Sequence, residues 1–446
     1  MYILRREERK SLIPTKRSWF FFALGVPVGV VSTQAGSPYF VLAYNVLVFL
    51  AIFIDSRLAV SQKSLKFRRR YDPVLSVRVP NRVEVTIEND SGVTVIGKFR
   101  DEPPDGHSAV GNEVDLKLEP GEELNVAYHL IPPERGSSEF PGSYVRVQCP
   151  MGLSYRDVHI ESNEFARVYP NVLALREFNL LNQQGRLREM GIRRSRVRGT
   201  GTEFESLREY TDGDDFRKID HKASARRGKL IVRNFETERS QAVILVIDTG
   251  RHMLSEVEGV RKLDHVLDSL LLLTNAASVA GDMVGLLVVS DTVKRYIPPR
   301  KGRSQLGMVI EACHDLVAEP VETDMQAGIA YLGTRWKRRS LIVVFSDYED
   351  ADRARQLSSA LQGLARRHIV LAVRIQDGKL DETWNKPVET ADDAFSRAAA
   401  GIVLRDRRDA SKVLSAFRIH QLESEPHKLA TDLVSYYLSV KERGLL

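Results

Sequence analysis

Two cysteines, Cys149 and Cys313, are all that the 446 residues contain. They lie far apart with no C-x-x-C spacing, so no disulfide framework or zinc site is implied, and a reducing compartment is the easier reading. Catalytic signatures are scarce as well. The chain has no G-x-x-x-x-G-K-[ST], no G-x-S-x-G and no H-E-x-x-H, and Gly199-Thr-Gly201 is too short for a dinucleotide fingerprint. Any ATP-driven work must therefore come from a partner. The ten histidines are scattered, with His265 and His314 on expected helices where packing or exposure accounts for them. Acidic residues are nearly missing from one end only: residues 1–71 hold twelve Lys/Arg against Glu7, Glu8 and Asp55, and the other 375 residues carry a net −3 of the chain's +6. The bulk is mildly acidic, which removes the compositional case for nucleic-acid binding.

What the basic end does contain is apolar. Trp19–Val31 and Tyr39–Ile54 are uncharged runs joined by STQAGSP, a pattern that predicts a two-helix membrane hairpin over residues 19–55. With their flanks the runs reach the lower limit for crossing a hydrocarbon core of roughly 30 Å. Pro27 is tolerable inside a membrane helix. Six Lys/Arg precede the hairpin (residues 5–17), six follow it (57–70), and the loop has none, so positive-inside bias puts both ends in the cytoplasm. Residues 1–18 then read as a basic cytoplasmic tail and 56–71 as a basic linker. The expected location is the inner, cytoplasmic membrane of a prokaryote, as a multi-pass protein contacting the lipid bilayer through residues 19–55.

From about residue 72 the texture becomes short alternating segments between turn signals. RVEVTIEND, VTVIGKFRDEPP, LNVAYHLIPPERG and SYVRVQCPMG place apolar residues at period two, which predicts a small antiparallel β-sandwich over 72–170. Residues 171–240 form a charged segment, and 241–446 alternate strands with helices. Strands are expected at 242–247, 283–289, 341–345 and 369–375, with helices near 261–280, 304–318, 351–367 and 426–443. The fold class is α/β, a doubly wound and mostly parallel sheet.

Ligands of such sheets sit beyond the strands' carboxyl ends. Asp248 ends QAVILVID, Asp347 ends the third strand in FSDYED, and Thr323 lies in the loop between them. Two carboxylates and a hydroxyl are hard oxygen ligands that suit Mg²⁺. The arrangement resembles the von Willebrand factor A domain and its metal-ion-dependent adhesion site, whose first strand ends Asp-x-Ser-x-Ser. Here Gly250 and His252 occupy the two serine positions, so the site is degenerate, weak Mg²⁺ binding is the most it promises, and restoring both serines is expected to strengthen it. His252 would favour a softer metal. Asp248 and Asp347 could equally cap adjacent helices or pair with arginines such as Arg251.

The segment GTEFESLREYTDGDDFRKIDHKASARRGKLIVRNFETE resembles the hallmark of domain-of-unknown-function family fifty-eight, with Gly201, Glu203, Phe204, Leu207, Arg208, Glu209, Tyr210, Gly213, Asp214, Arg217, Ile219 and Asp220 filling the pattern and His221 in a Trp position. The resemblance implies a membrane-anchored, von Willebrand A-like protein with a MoxR-type AAA+ ATPase as partner. Between Arg193 and Arg239 the segment holds thirteen Lys/Arg and nine Asp/Glu with apolar residues interleaved. Fixed mixed charge suits protein recognition. Arg208, Glu209, Asp214, Arg217 and Asp220 are the expected partner-binding residues, in an adaptor rather than an enzyme. The alternative is a metal-dependent hydrolase using Asp248 and Asp347.

Overall fold

The computed structural model describes residues 12–34, 36, 39–60, 64–162, 164–190, 192, 203–211, 216, 219–236, 241–348 and 350–445. Two compact units divide the chain, Met1–Tyr169 and Pro170–Leu446.

In the first unit the apolar runs form helices α1 (Lys16–Gln34) and α2 (Tyr39–Arg57), 19 residues each. They pack antiparallel. Phe22 meets Phe49 with ring centroids 5.3 Å apart, and the Tyr44 hydroxyl donates to the Phe21 carbonyl. Among the described residues, α2 is the one helix long and apolar enough to cross a membrane. The first helix falls short because it opens on Lys-Arg and closes on Ser-Thr-Gln, so the expected pair of spans reduces to a helical hairpin with one qualifying span. A buried carboxylate fastens that span. Asp55 accepts hydrogen bonds from the backbone N–H groups of Met151 (2.7 Å), Leu153 (3.0 Å) and Ser154 (3.0 Å).

The alternating segments become the strands Asn81–Asn89, Val95–Glu102, Glu123–Ile131 and Gly142–Gln148. Their inward positions, among them Val83, Val85, Ile87, Phe99 and Val145, share one core. The unit holds a five-stranded, a four-stranded and a three-stranded sheet. Two boundaries drawn from charge are corrected. The supposed linker supplies the strand Leu65–Tyr71, paired antiparallel to Asn81–Asn89, and the supposed tail supplies Leu12–Pro14, paired to Ser154–Ile160. Arg69, counted above as a membrane flank, is buried: its guanidinium grips both oxygens of Asp101 at 2.6 and 3.1 Å over the face of Phe140. Tyr128 and Ser143 donate to the same carboxylate, each at 2.6 Å. Burial, with Asp101 beside it, pushes the Tyr128 hydroxyl up, so it stays a donor.

In the second unit six strands make one sheet: β1 (Ala242–Asp248), β2 (Met283–Val289), β3 (Val293–Arg300), β4 (Leu341–Phe345), β5 (Ile369–Ile375) and β6 (His420–Ser424), ordered β3-β2-β1-β4-β5-β6. All neighbours are parallel except β2 and β3. Every residue of β1 is buried, as a central strand covered on both faces requires. Val243, Leu245 and Ile247 face a core built with α3 (Lys262–Val279), α4 (Arg303–His314) and the last helix, Leu429–Glu442. Ile244 and Val246 face α5 (Met325–Arg335), α6 (Ala351–Ala365) and the long helix Ala391–Ala416. The sheet is therefore doubly wound, as the sequence indicates. The charged segment before it contains a helix, Leu173–Gln183, and a hairpin of Glu203–Glu209 with Ile231–Glu236, spanned by the short helix His221–Arg227.

Candidate functional site

The carboxyl ends of β1 and β4 open into a cavity of about 320 Å³. Asp248, His252, Thr323 and Asp347 all line it, so the residues singled out at the strand ends do converge. What they do there differs from the expectation. Asp248 is held at both oxygens: Oδ1 accepts from the Gly250 N–H (2.9 Å) and the Thr323 hydroxyl (2.5 Å), and Oδ2 accepts from the Ser346 hydroxyl (2.8 Å). Asp347 is ion-paired with the Lys262 ammonium, the two side chains being only 5% and 9% exposed. Lys262 begins α3, and it reaches Asp347 because the β1–α3 connection and the end of β4 meet at the same edge. Arg251, offered as an alternative partner, pairs with Glu322 instead.

These contacts do not suit a magnesium centre. A lysine cation already neutralises one of the two carboxylates, and among the described residues no three His, Cys, Asp or Glu side chains gather as a metal cluster. The glycine at 250 is equally committed. A Cβ there would stand 2.1 Å from Thr323 Oγ1 and 2.9 Å from the Val321 carbonyl oxygen, so a serine cannot be restored without displacing Thr323 from Asp248. Restoring a serine at this position therefore requires Thr323 to shift. His252 is also occupied, its Nε2 facing the Arg251 Nε–H at 3.2 Å.

The rim is charged and partly exposed. Glu322 bridges Arg251 (2.8 Å) and Arg353 (3.0 Å), while Asp324 caps α5 through the Ala327 N–H and Asp350 caps α6 through the Arg353 N–H. Behind the cavity, burial pushes the Tyr348 hydroxyl well above its ordinary range, although the Arg374 guanidinium lies over its ring at 4.7 Å. It remains protonated and is no nucleophile. Lys262, Ser346 and Arg353 were not foreseen. Ser346 directly precedes Asp347 and could have been read from the strand end, whereas Lys262 is 85 positions from its partner and carries no local signal.

Three of the five partner-binding candidates of the charged segment lie within the described residues. Glu209 is exposed and pairs with Lys229 at 3.0 Å. Arg208 lies on the hairpin strand opposite Val232. Asp220 caps the helix His221–Arg227, accepting from the Lys222 and Ala223 N–H groups at 3.0 Å each. Asp214 and Arg217 lie outside the described residues.

Residues 206–387 match the model of the family described as protein of unknown function DUF58. The uncharacterized protein Mb1516 of Mycobacterium bovis is 26% identical over 183 residues, 41% of this chain, and the chain spans 57% of that relative's length. Among solved structures, the SpRpn10 VWA domain is 15% identical, with 44% of this chain and 93% of that chain covered at a TM-score of 0.28. The hypothetical protein BatB of Bacteroides thetaiotaomicron is 13% identical, with 45% and 98% covered at a TM-score of 0.28. Neither structural likeness, at these values, bears on function.

Proposed function

We propose, on the match of residues 206–387 to the DUF58 model, that this chain is a membrane-anchored, cytoplasm-facing adaptor whose degenerate von Willebrand A-like domain binds another protein at the carboxyl edge of its sheet. The observation that carries this reading is the internal pairing of the site. Asp248 is saturated by Thr323, Ser346 and Gly250, and Asp347 by Lys262. A general base or metal-borne nucleophile needs a carboxylate free to act, which counts against the hydrolase alternative. A mixed-charge rim around a preformed cavity suits a protein surface instead. The family resemblance favours a MoxR-type AAA+ ATPase as the partner, the chain having no P-loop of its own. Arg208, Glu209, Asp214, Arg217 and Asp220 are proposed as a further part of the binding surface.

Membrane anchoring is supported by the span α2 and by outward apolar side chains on both helices, including Trp19, Phe20, Leu42, Leu47 and Phe49. The side is tested by reporter fusions. One after Leu446 should behave as cytoplasmic and one inserted at Gly36 as external, and the reverse result would overturn the orientation. The partner is tested by co-purification of the ATPase with the detergent-solubilised full chain. Arg353→Glu should weaken capture by at least tenfold, since breaking an interfacial charge pair costs about 2–5 kcal/mol. Arg208→Glu should also weaken it, while Lys379→Glu on the helix Gly378–Asn385 should not. Undiminished capture by Arg353→Glu removes the carboxyl edge from the interface.

A further inference from the structure

A second, larger cavity of about 720 Å³ lies beside β5 and β6, sharing no lining residue with the first. Its walls come from Arg374 on β5, Glu423 on β6, Trp384 on the helix Gly378–Asn385, and Leu404, Arg407 and Arg408 on the helix Ala391–Ala416. Arg407 is the unusual member. It is only 7% exposed, its Nε–H is buried with no partner, and its guanidinium makes no hydrogen bond or ion pair to any described residue. The nearby acids do not serve it. Glu423 accepts from Arg374 at 2.7 Å, and Asp381 accepts from the Gln376 side chain at 2.8 Å. Arg374 is 2% exposed and keeps an unpartnered Nε–H of its own.

Four bases against two acids line this cavity, counting Lys412 with the three arginines. A buried N–H donor without an acceptor is unfavourable, and a leucine or methionine would fill the same volume without that cost. Retaining a guanidinium at 407 makes sense where something outside the chain supplies the acceptor oxygens. The fork of N–H donors suits a phosphate or carboxylate group. A volume of this size accepts an organic molecule, and the indole of Trp384 with the side chain of Leu404 offers its body an apolar wall.

The structure assigns to this cavity the binding of a small organic anion, its phosphate or carboxylate group on Arg407 and its apolar part against Trp384. This site stands apart from the carboxyl-edge cavity and does not depend on the adaptor reading.

The test is calorimetric titration of the solubilised full chain with pyrophosphate and, separately, with citrate, at constant ionic strength. At least one probe should bind saturably at a single site, and which of the two it is separates phosphate from carboxylate recognition. Arg407→Met should weaken that binding at least tenfold. Lys337→Met, which removes an exposed charge away from the cavity, should leave it unchanged. In the absence of anion, Arg407→Met should keep or raise the melting temperature, because it removes an unsatisfied buried donor. Arg407→Lys, which keeps the charge and loses the fork, should bind at least fivefold more weakly in a folded chain. The proposal is overturned if neither probe binds, if Lys337→Met weakens binding as much as Arg407→Met, or if Arg407→Met lowers the anion-free melting temperature.

Discussion

The two ends of the α/β sheet satisfy their aspartates by the same chemistry and use the result differently. At the amino end, Asp282 is 1% exposed and accepts from the Gln241 N–H (2.9 Å), the Lys441 ammonium (2.7 Å) and the Tyr437 hydroxyl, all beneath the last helix. At the carboxyl end, Asp248 accepts three hydrogen bonds and Asp347 is ion-paired with Lys262, yet both stand on the wall of a cavity with an exposed rim. Saturation of a carboxylate therefore does not by itself mark a structural residue. Access does. The amino end is a lock closed by packing, and the carboxyl end is a fixed surface left open.

Substitutions at each end should pull this contrast apart. The largest loss is expected for Asp282→Ala, which takes the shared acceptor from a partly buried ammonium, a buried hydroxyl and a backbone N–H and should cost about 3–5 kcal/mol of unfolding free energy with no specific effect on partner capture. Chemical denaturation of the full chain measures it. Lys262→Met should cost less, about 1–3 kcal/mol, because water from the cavity can reach Asp347 once the ammonium is gone. The same variant should gain a Mg²⁺-dependent rise in melting temperature that the unmodified chain lacks. An equal Mg²⁺ response in both would show that Lys262 does not stand in for a metal.

Gly250→Ser should destabilise by about 1–3 kcal/mol through overpacking against Thr323. If it instead proves neutral and strengthens Mg²⁺ binding, the close approach of Thr323 is not fixed. A smaller effect is expected from pH. His368, beside the amino end of β5, is buried with its Nδ1 unpartnered, and burial together with Arg367 and Arg339 holds its pKa below the ordinary imidazole value of 6.5. Between the two values the unfolded chain binds the extra proton. Stability from this group is therefore complete above about pH 6.5 and is lost as the pH falls from there through the folded value. Melting temperatures between pH 7.5 and 5.5 should fall less steeply in His368→Gln. Last, Glu322→Gln on the open rim should change stability by only about 0.2–1 kcal/mol.

Much of the sheet was legible because buried parallel strands are uninterrupted apolar runs, as QAVILVID and SLIVVF are. The edges were not. β3 carries Lys294, Arg295, Pro298 and Pro299, which read as loop, although an edge strand tolerates both proline and charge. The helix Ala391–Ala416 escaped notice because only Ala400, Arg407, Ala410 and Leu414 of its 26 residues are buried, too sparse a stripe to show as a period. Lys379 is the second residue of the helix Gly378–Asn385, which Asp377 caps. At the site, Asp248, Thr323 and Asp347 could be named because strand ends and their loops are predictable. Lys262 could not, since an ion pair across 85 positions exists only once the sheet has been assembled.

The grip of Asp55 sets an order of events during synthesis. Its acceptors are filled by backbone groups as far as 99 positions downstream. The apolar helix therefore leaves the ribosome with an anion at its end that nothing can yet neutralise, and the β-sheet that will do so emerges only later. Until Ser154 arrives, that carboxylate has only water to accept from, and once the strands close around it the end of α2 is held against the sheet. The sheet and the end of α2 are thereby joined through one side chain, and a displacement of either is passed to the other.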